Sequence, residues 1–72
     1  MSGLGMLWDI ESKELASNVR SAADFYQRKY GARPDVAWVN PSLGDACQVD
    51  GIEVKVTRSV PKGHILIGVK GG

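Results

Sequence analysis

The short run Val36–Val39 constrains the fold of this chain more than any other stretch, because proline-containing breakers bound it on both sides. Pro34 precedes the run and Asn40-Pro41 follows it. A short run rich in β-branched and aromatic residues between such breakers is typical of a buried strand. A long helical pattern lies before the run and a strict alternation of apolar and polar residues lies after it. We therefore expect both neighbours to pack against this strand.

Residues 12–30 are predicted to form a helix, because their apolar side chains recur at helical spacing. Asp9 or Ser12 is placed to cap the start, and Gly31 follows the pattern where a left-handed residue commonly ends a helix. The predicted buried stripe consists of Leu15, Val19, Ala22, Ala23, Tyr26 and Tyr30.

Two further strands are predicted in the second half of the chain. Residues 52–57 alternate strictly between apolar and polar side chains, and residues 64–69 continue the same apolar face after a turn at Pro61-Lys62-Gly63. Their closeness in sequence favours pairing as an antiparallel hairpin. Residues 1–8 are either a frayed terminus, which their glycines favour, or a short edge strand, and residues 42–50 fit a helical turn followed by a turn at Asp50-Gly51. The predicted fold is α+β: one amphipathic helix packed on a small, mainly antiparallel three-stranded sheet, in a single domain over residues 1–72.

The size of the chain limits its core. With 72 residues, of which 43% are hydrophobic and 24% charged, the sequence is typical of a small globular domain, and such domains bury only about 60% of the surface of the unfolded chain. Cys47 alone cannot form an internal disulfide, so oligomerisation remains as a way to supplement the core. A lone cysteine, no signal-peptide pattern and no apolar run of about 20 residues predict a cytoplasmic protein without a membrane span.

Residues suited to catalysis or metal binding are few. Cys47 and His64 are the lone cysteine and histidine, and nothing in their spacing brings them together. They are too few for a zinc site, and the glycines form neither a Walker loop nor a dinucleotide-binding motif. We therefore predict no enzymatic activity, no cofactor and no metal.

The sheet offers the more specific functional prediction. A single helix covers one face, so the other face is expected to be available to a partner. Trp38 either points inward, which is the favoured orientation, or points outward and anchors an interface. The predicted function is a non-enzymatic interaction or assembly module that binds another protein or forms a homo-oligomer through an open sheet face or an edge strand. The candidate interaction residues are Trp38, Leu66, Lys55, Thr57 and His64.

The basic residues support an alternative function. The formal net charge is only +1, which excludes the strongly basic balance of a dedicated nucleic-acid binder but allows a local patch. The alternative is weak nucleic-acid binding, although a solvated basic surface is the favoured interpretation because stacking aromatics do not interleave with these charges. Its candidate residues are Arg28, Lys29, Arg33, Arg58 and Lys62.

Part of the sequence resembles a known family. Residues 39–41 (Val-Asn-Pro), 51–54 and 60–68 resemble a fragment of the HK97-type phage capsid fold, in which a strand ending in Asn-Pro precedes a hairpin of similar sequence. The resemblance covers about half of the chain and does not include the long spine helix and extended arm of that family. Residues 30–34 also resemble small uncharacterised bacterial or phage-borne proteins. The resemblance implies a phage origin and assigns no functional residues.

Overall fold

The computed structural model describes residues 5–69, which form one helix and one five-stranded sheet. The elements in chain order are β1 (Gly5–Asp9), α1 (Leu15–Tyr30), β2 (Val36–Val39), β3 (Cys47–Val49), β4 (Ile52–Val56) and β5 (His64–Gly68). The strands lie in the order β1-β5-β2-β4-β3. β2 and β4 are parallel, whereas the other neighbouring pairs are antiparallel.

The prediction of a three-stranded, mainly antiparallel sheet is wrong, although the fold is α+β. The predicted hairpin of residues 52–57 with residues 64–69 does not form, because β2 lies between β4 and β5. Val36, Ala37 and Val39 of β2 are fully buried, and a strand with apolar residues on both faces favours the centre of a sheet. The loop of residues 57–63 is long enough to connect β4 to β5 past the end of β2, a distance of about 10 Å.

The two strands β1 and β3 are the edges of the sheet. For residues 1–8 a frayed terminus was favoured over an edge strand, but residues 5–9 form β1, which pairs with β5 over its full length, from Gly5 opposite Gly68 to Asp9 opposite His64. β3 takes the place of much of the helical turn expected in residues 42–50. It pairs with β4 through a turn at Asp50-Gly51, which confirms that turn.

The core lies between α1 and one face of the sheet. Each strand contributes alternate residues to it, as the pleat of a strand requires. The helix packs mainly over β5, with further contacts to β3 at the other side of the sheet. The buried core residues are Met6, Val19, Ala22, Ala23, Tyr26, Ala37, Val39, Val49, Ile52, Val54, Ile65 and Ile67.

The helix begins at Leu15, three residues later than predicted, because Asn18 holds the preceding residues in a loop. The backbone N–H groups of Glu11 and Ser12 donate to Asn18 Oδ1 at 2.9 and 3.0 Å. Asn18 Nδ2 donates to the carbonyl oxygens of Ser12 at 2.6 Å and of Glu14 at 2.9 Å. Gly31 ends the helix in the left-handed conformation, with φ of 72°, as predicted.

Replacing Gly51 by alanine is expected to destabilise the protein by about 1–2 kcal/mol, the cost of a left-handed conformation for a residue with a Cβ. Asp50 and Gly51 have φ values of 50° and 82°, as a two-residue type I′ turn requires. A Cβ at Gly51 would meet nothing within 4 Å, so backbone strain alone is tested. Urea denaturation measures the effect. Gly44→Ala is the matched control, since its Cβ would make an ordinary contact of 3.4 Å with Leu15, and an equal loss there would contradict the explanation.

Candidate protein-interaction surface

The face of the sheet opposite α1, here called the open face, has no helix or strand over it within residues 5–69. One row of side chains crosses four of its strands. Leu7 on β1 lies opposite Leu66 on β5, Leu66 lies opposite Trp38 on β2, and Trp38 lies opposite Lys55 on β4. We call Leu7, Leu66 and Trp38 the apolar row. It is a continuous strip of large apolar side chains with a lysine at one end.

The apolar row is partly exposed to solvent. Leu7 is 53% exposed, the highest value among the large hydrophobic residues of the described chain, and Leu66 and Trp38 are half-buried. None of the three belongs to the core cluster, which takes Ala37 and Val39 from β2 instead. The favoured inward orientation of Trp38 is therefore wrong. Large apolar residues in a strip rimmed by polar groups are typical of interaction surfaces.

A second row beside the apolar row consists of two glycines, two polar residues and Val36, which is fully buried although it lies on the open face. It runs through Gly5, Gly68, Val36, Glu53 and Gln48 on the five strands. A Cβ built on Gly5 would lie 3.0 Å from Leu66 Cδ1, so the Leu66 side chain lies close over the bare backbone of β1. Gly5 thus lets Leu66 lean toward the sheet edge and brings the apolar row close to β1.

His64 and Asp9 form a polar end to the open face. His64 Nε2 lies 2.9 Å from Asp9 Oδ1, and His64 Nδ1 lies 3.2 Å from the carbonyl oxygen of Lys62. A doubly protonated imidazole donates to both acceptors, whereas a neutral ring can donate to only one of them. The pair links β1 to the start of β5, and the Asp9 side chain itself is largely exposed.

The structure brings most of the predicted interaction residues to one surface. Trp38, Leu66, Lys55 and His64 lie on strands of the open face, and Thr57 lies just after β4, where its N–H donates to the carbonyl oxygen of Val39 at 2.9 Å. Sequence reasoning missed Leu7. Met6, Leu7 and Trp8 are all apolar, so no alternation in the sequence marks Leu7, and its face is fixed only by the pairing of β1 with β5.

An aromatic pair lies on the other side of β1. The rings of Trp8 and Phe25 are 4.9 Å apart, and Phe25 is 44% exposed. Trp8 also packs against the core, as expected from its size. Its Nε1 is buried without a hydrogen-bond partner among the described residues. Exposed apolar side chains therefore flank β1 on both faces of the sheet.

The basic residues of the alternative function fall at two ends of the sheet. Arg28, Lys29 and Arg33 lie near the start of β2, whereas Arg58 and Lys62 lie in the loop that follows β4. Because β2 and β4 are parallel, that loop is at the opposite end. Arg28 pairs with Asp24 at 3.1 Å, and Arg33 donates to the carbonyl oxygen of Asp50 at 3.1 Å. These residues therefore do not form one patch.

The candidate catalytic residues are also far apart. Cys47 is exposed on β3 at one edge of the sheet, while His64 is on β5, with β4 and β2 between them. Residues 5–69 contain no cluster of three or more His, Cys, Asp or Glu residues arranged to hold a metal ion. No helix in that range has the length and apolar content needed to cross a bilayer.

Comparison with known proteins does not assign a function to this surface. No protein-family model, curated protein or solved structure matches the chain. The partial resemblance to the HK97-type capsid fold stays a prediction. Any functional assignment must therefore rest on the open face and its edges.

Proposed function

We propose that this chain is a small non-enzymatic interaction or assembly module that self-associates through its open face. The observation that supports the proposal is the apolar row, in which Leu7, Leu66 and Trp38 are aligned on three neighbouring strands and partly exposed. A second copy presents the same strip, so one surface can serve both partners of a two-fold dimer.

The energetics of a small domain favour this function. Burial of apolar surface stabilises a folded or associated state by about 25 cal/mol per Å². The exposed surface of the apolar row makes no such contribution in a single copy. The core cluster is small because its residues come from one helix and one face of the sheet. A net charge of +1 adds little long-range repulsion between copies. Association would therefore supplement a core of limited size.

Substitution of the apolar row is expected to weaken self-association. Trp38→Gln and Leu66→Gln should each lower the association constant at least about tenfold, which corresponds to about 1.4 kcal/mol. Sedimentation equilibrium from micromolar to millimolar concentration measures the constant. Tyr30→Gln is the control, because Tyr30 is 38% exposed but lies at the end of the helix, away from the open face.

Three other results would count against the proposal. A wild-type chain that stays monomeric over the whole concentration range would contradict it. Equal weakening by Tyr30→Gln would indicate nonspecific contact between exposed apolar residues. Salt-sensitive binding of labelled single-stranded or double-stranded nucleic acid by the monomer would favour the nucleic-acid alternative. That alternative has less support because its basic residues are divided between two ends of the sheet.

A further inference from the structure

The outer edge of β1 presents backbone hydrogen-bonding groups. Ile10 N–H donates to the carbonyl oxygen of Gly63 at 2.9 Å, and this pair continues the register of β1 with β5. Hydrogen-bonded pairs alternate along an antiparallel ladder, so Trp8 and Met6 direct their backbone groups toward β5. Gly5, Leu7 and Asp9 therefore direct theirs to the other side, where β1 is the last strand of the described sheet.

The sequence of β1 does not protect this edge. Edge strands are commonly shielded by lysine, proline, a bulge or a very short length. β1 is five residues long, reads Gly-Met-Leu-Trp-Asp, and pairs with β5 without a bulge. Its single charged side chain, Asp9, is paired with His64. Leu7 on the open face and Phe25 on the helix side place exposed apolar surface along both sides of the edge.

The opposite edge of the sheet is less suited to pairing. β3 has only three residues, and acidic residues flank it at Asp45 and Asp50. Asp50 already accepts a hydrogen bond from Arg20 Nε at 2.9 Å. Two β3 strands brought together in antiparallel orientation would place acidic residues of the two copies near one another. The charges therefore favour β1 over β3.

We infer that two copies of this chain join edge to edge, with β1 antiparallel to β1 and Leu7 on the two-fold axis. This inference rests on the proposed self-association and adds a second contact, edge pairing of β1, to the contact through the open face, which a dimer joined at β1 leaves accessible. In this register Leu7 exchanges backbone hydrogen bonds with Leu7 of the second copy, and Gly5 and Asp9 exchange them with Asp9 and Gly5. All three outward-facing residues of β1 are then paired.

Charge disfavours a register centred on Asp9. With Leu7 on the axis, the two Asp9 residues lie four positions apart along the strands, about 14 Å at the rise of a β-strand. That distance exceeds the Debye length of about 8 Å at physiological ionic strength. A register centred on Asp9 would place the two carboxylates on directly opposed residues with Cα atoms about 5.5 Å apart. The Leu7-centred register avoids this repulsion.

The dimer extends the apolar row. Leu7 meets Leu7 of the second copy on the open face, so the row becomes Trp38-Leu66-Leu7 followed by its two-fold image. On the helix side, Trp8 lies opposite Met6 of the second copy. The two sheets, of five strands each, form one continuous sheet. Leu7, which is the exposed end of the apolar row in the monomer, then lies at the centre of the combined row of the dimer.

Disulfide cross-linking tests the register directly. In a Cys47→Ser background, Leu7→Cys places the new cysteine opposite itself, with Cα atoms about 5.5 Å apart, a usual distance for a disulfide. We expect rapid covalent dimerisation under oxidised glutathione. Asp9→Cys in the same background is the matched control, because residue 9 lies opposite residue 5 and about 14 Å from its own copy. Its cross-linking should be at least about tenfold slower.

A second pair of variants separates backbone pairing from apolar contact. Leu7→Pro removes the side chain and the outward N–H, while Leu7→Ser removes only the side chain, and an edge position facing solvent accepts proline. If the edges pair, Leu7→Pro should lower the association constant at least about tenfold more than Leu7→Ser does. Sedimentation equilibrium measures both constants. Thermal unfolding of both variants verifies that the monomer still folds.

The outcomes distinguish the inference from the proposed function. If the wild type dimerises but residues 7 and 9 cross-link at equal rates, or proline and serine have equal effects, the edge register is wrong and association through the open face alone remains. If the wild type is monomeric at all concentrations, both fail. Faster cross-linking at residue 7 together with the larger effect of proline supports the edge register, and weakening by Trp38→Gln and Leu66→Gln supports contact through the open face.

Discussion

Asn18→Ala is expected to lower the free energy of unfolding by about 2–4 kcal/mol, because its buried amide makes four hydrogen bonds that alanine cannot replace. The substitution leaves the N–H groups of Glu11 and Ser12 and the carbonyl oxygens of Ser12 and Glu14 without these partners. In a domain of this size, the loss corresponds to a decrease in Tm of roughly 10–30 °C. Urea denaturation followed by circular dichroism measures the free energy.

Two further variants make this test specific. Asn18→Asp keeps an acceptor but loses both donors and places a carboxylate against two carbonyl oxygens, so its destabilisation should be at least as large as that of alanine. Gln27→Ala, at an exposed position on the same helix, should change stability by less than about 0.5 kcal/mol. If Asn18→Ala were as mild as Gln27→Ala, the loop before α1 would not depend on Asn18.

Ile67→Ala is expected to destabilise the protein by about 2–5 kcal/mol, since it leaves a cavity beneath the helix. Ile67 is fully buried, belongs to the core cluster and lies on β5, over which α1 mainly packs. A domain of this length has a total stability of about 4–11 kcal/mol. The substitution therefore removes a large part of it, and a fraction of the chains should be unfolded at physiological temperature.

The neighbouring residue provides the control. Leu66 is on the same strand but faces the open side, where it is half-buried. Leu66→Ala should cost about 1 kcal/mol or less in a dilute sample, in which association does not contribute. The comparison is made by urea denaturation at low protein concentration. Equal losses for the two variants would contradict a core restricted to one face of the sheet.

The helix was predictable from the sequence because its signals are local. The spacing from Leu15 to Tyr30 and the glycine at residue 31 are sufficient to locate it. The start was predicted too early, because Asn18 stabilises the preceding loop through contacts with residues six and seven positions away. A side chain within the helical pattern thus moves the start of the helix to a later residue. The spacing of apolar residues does not reveal this effect.

The sheet was predicted less well because strand order depends on contacts between distant residues. The alternation in residues 52–57 and 64–69 indicates two strands with a shared apolar face, and both strands exist. It does not indicate that Val36–Val39 lies between them and pairs with one in parallel and with the other in antiparallel orientation. The central position of β2 follows from burial of both its faces. The prediction instead paired the other two strands directly, because they are close in sequence.

The candidate surface was predicted in part. Lys55, His64 and Leu66 follow from alternation within predicted strands, and the structure places them on one face. Trp38 and Leu7 could not be placed on a face. The run Val36–Val39 is apolar throughout, so alternation does not show which residues face the core, and residues 1–8 were left open between a frayed terminus, which was favoured, and an edge strand. The row of side chains therefore became visible only when the register of four strands was known.

The position of β5 between β1 and β2 affects the order of events during synthesis. β1 and β2 are made first, yet each has β5 as a neighbour, and β5 begins only at His64. A nascent chain that has not yet reached this residue cannot close the sheet, and α1 lacks the strand over which it mainly packs. Such non-local pairing slows folding relative to contacts between adjacent segments. Folding of this protein is therefore completed after its ribosome has released residues 64–68.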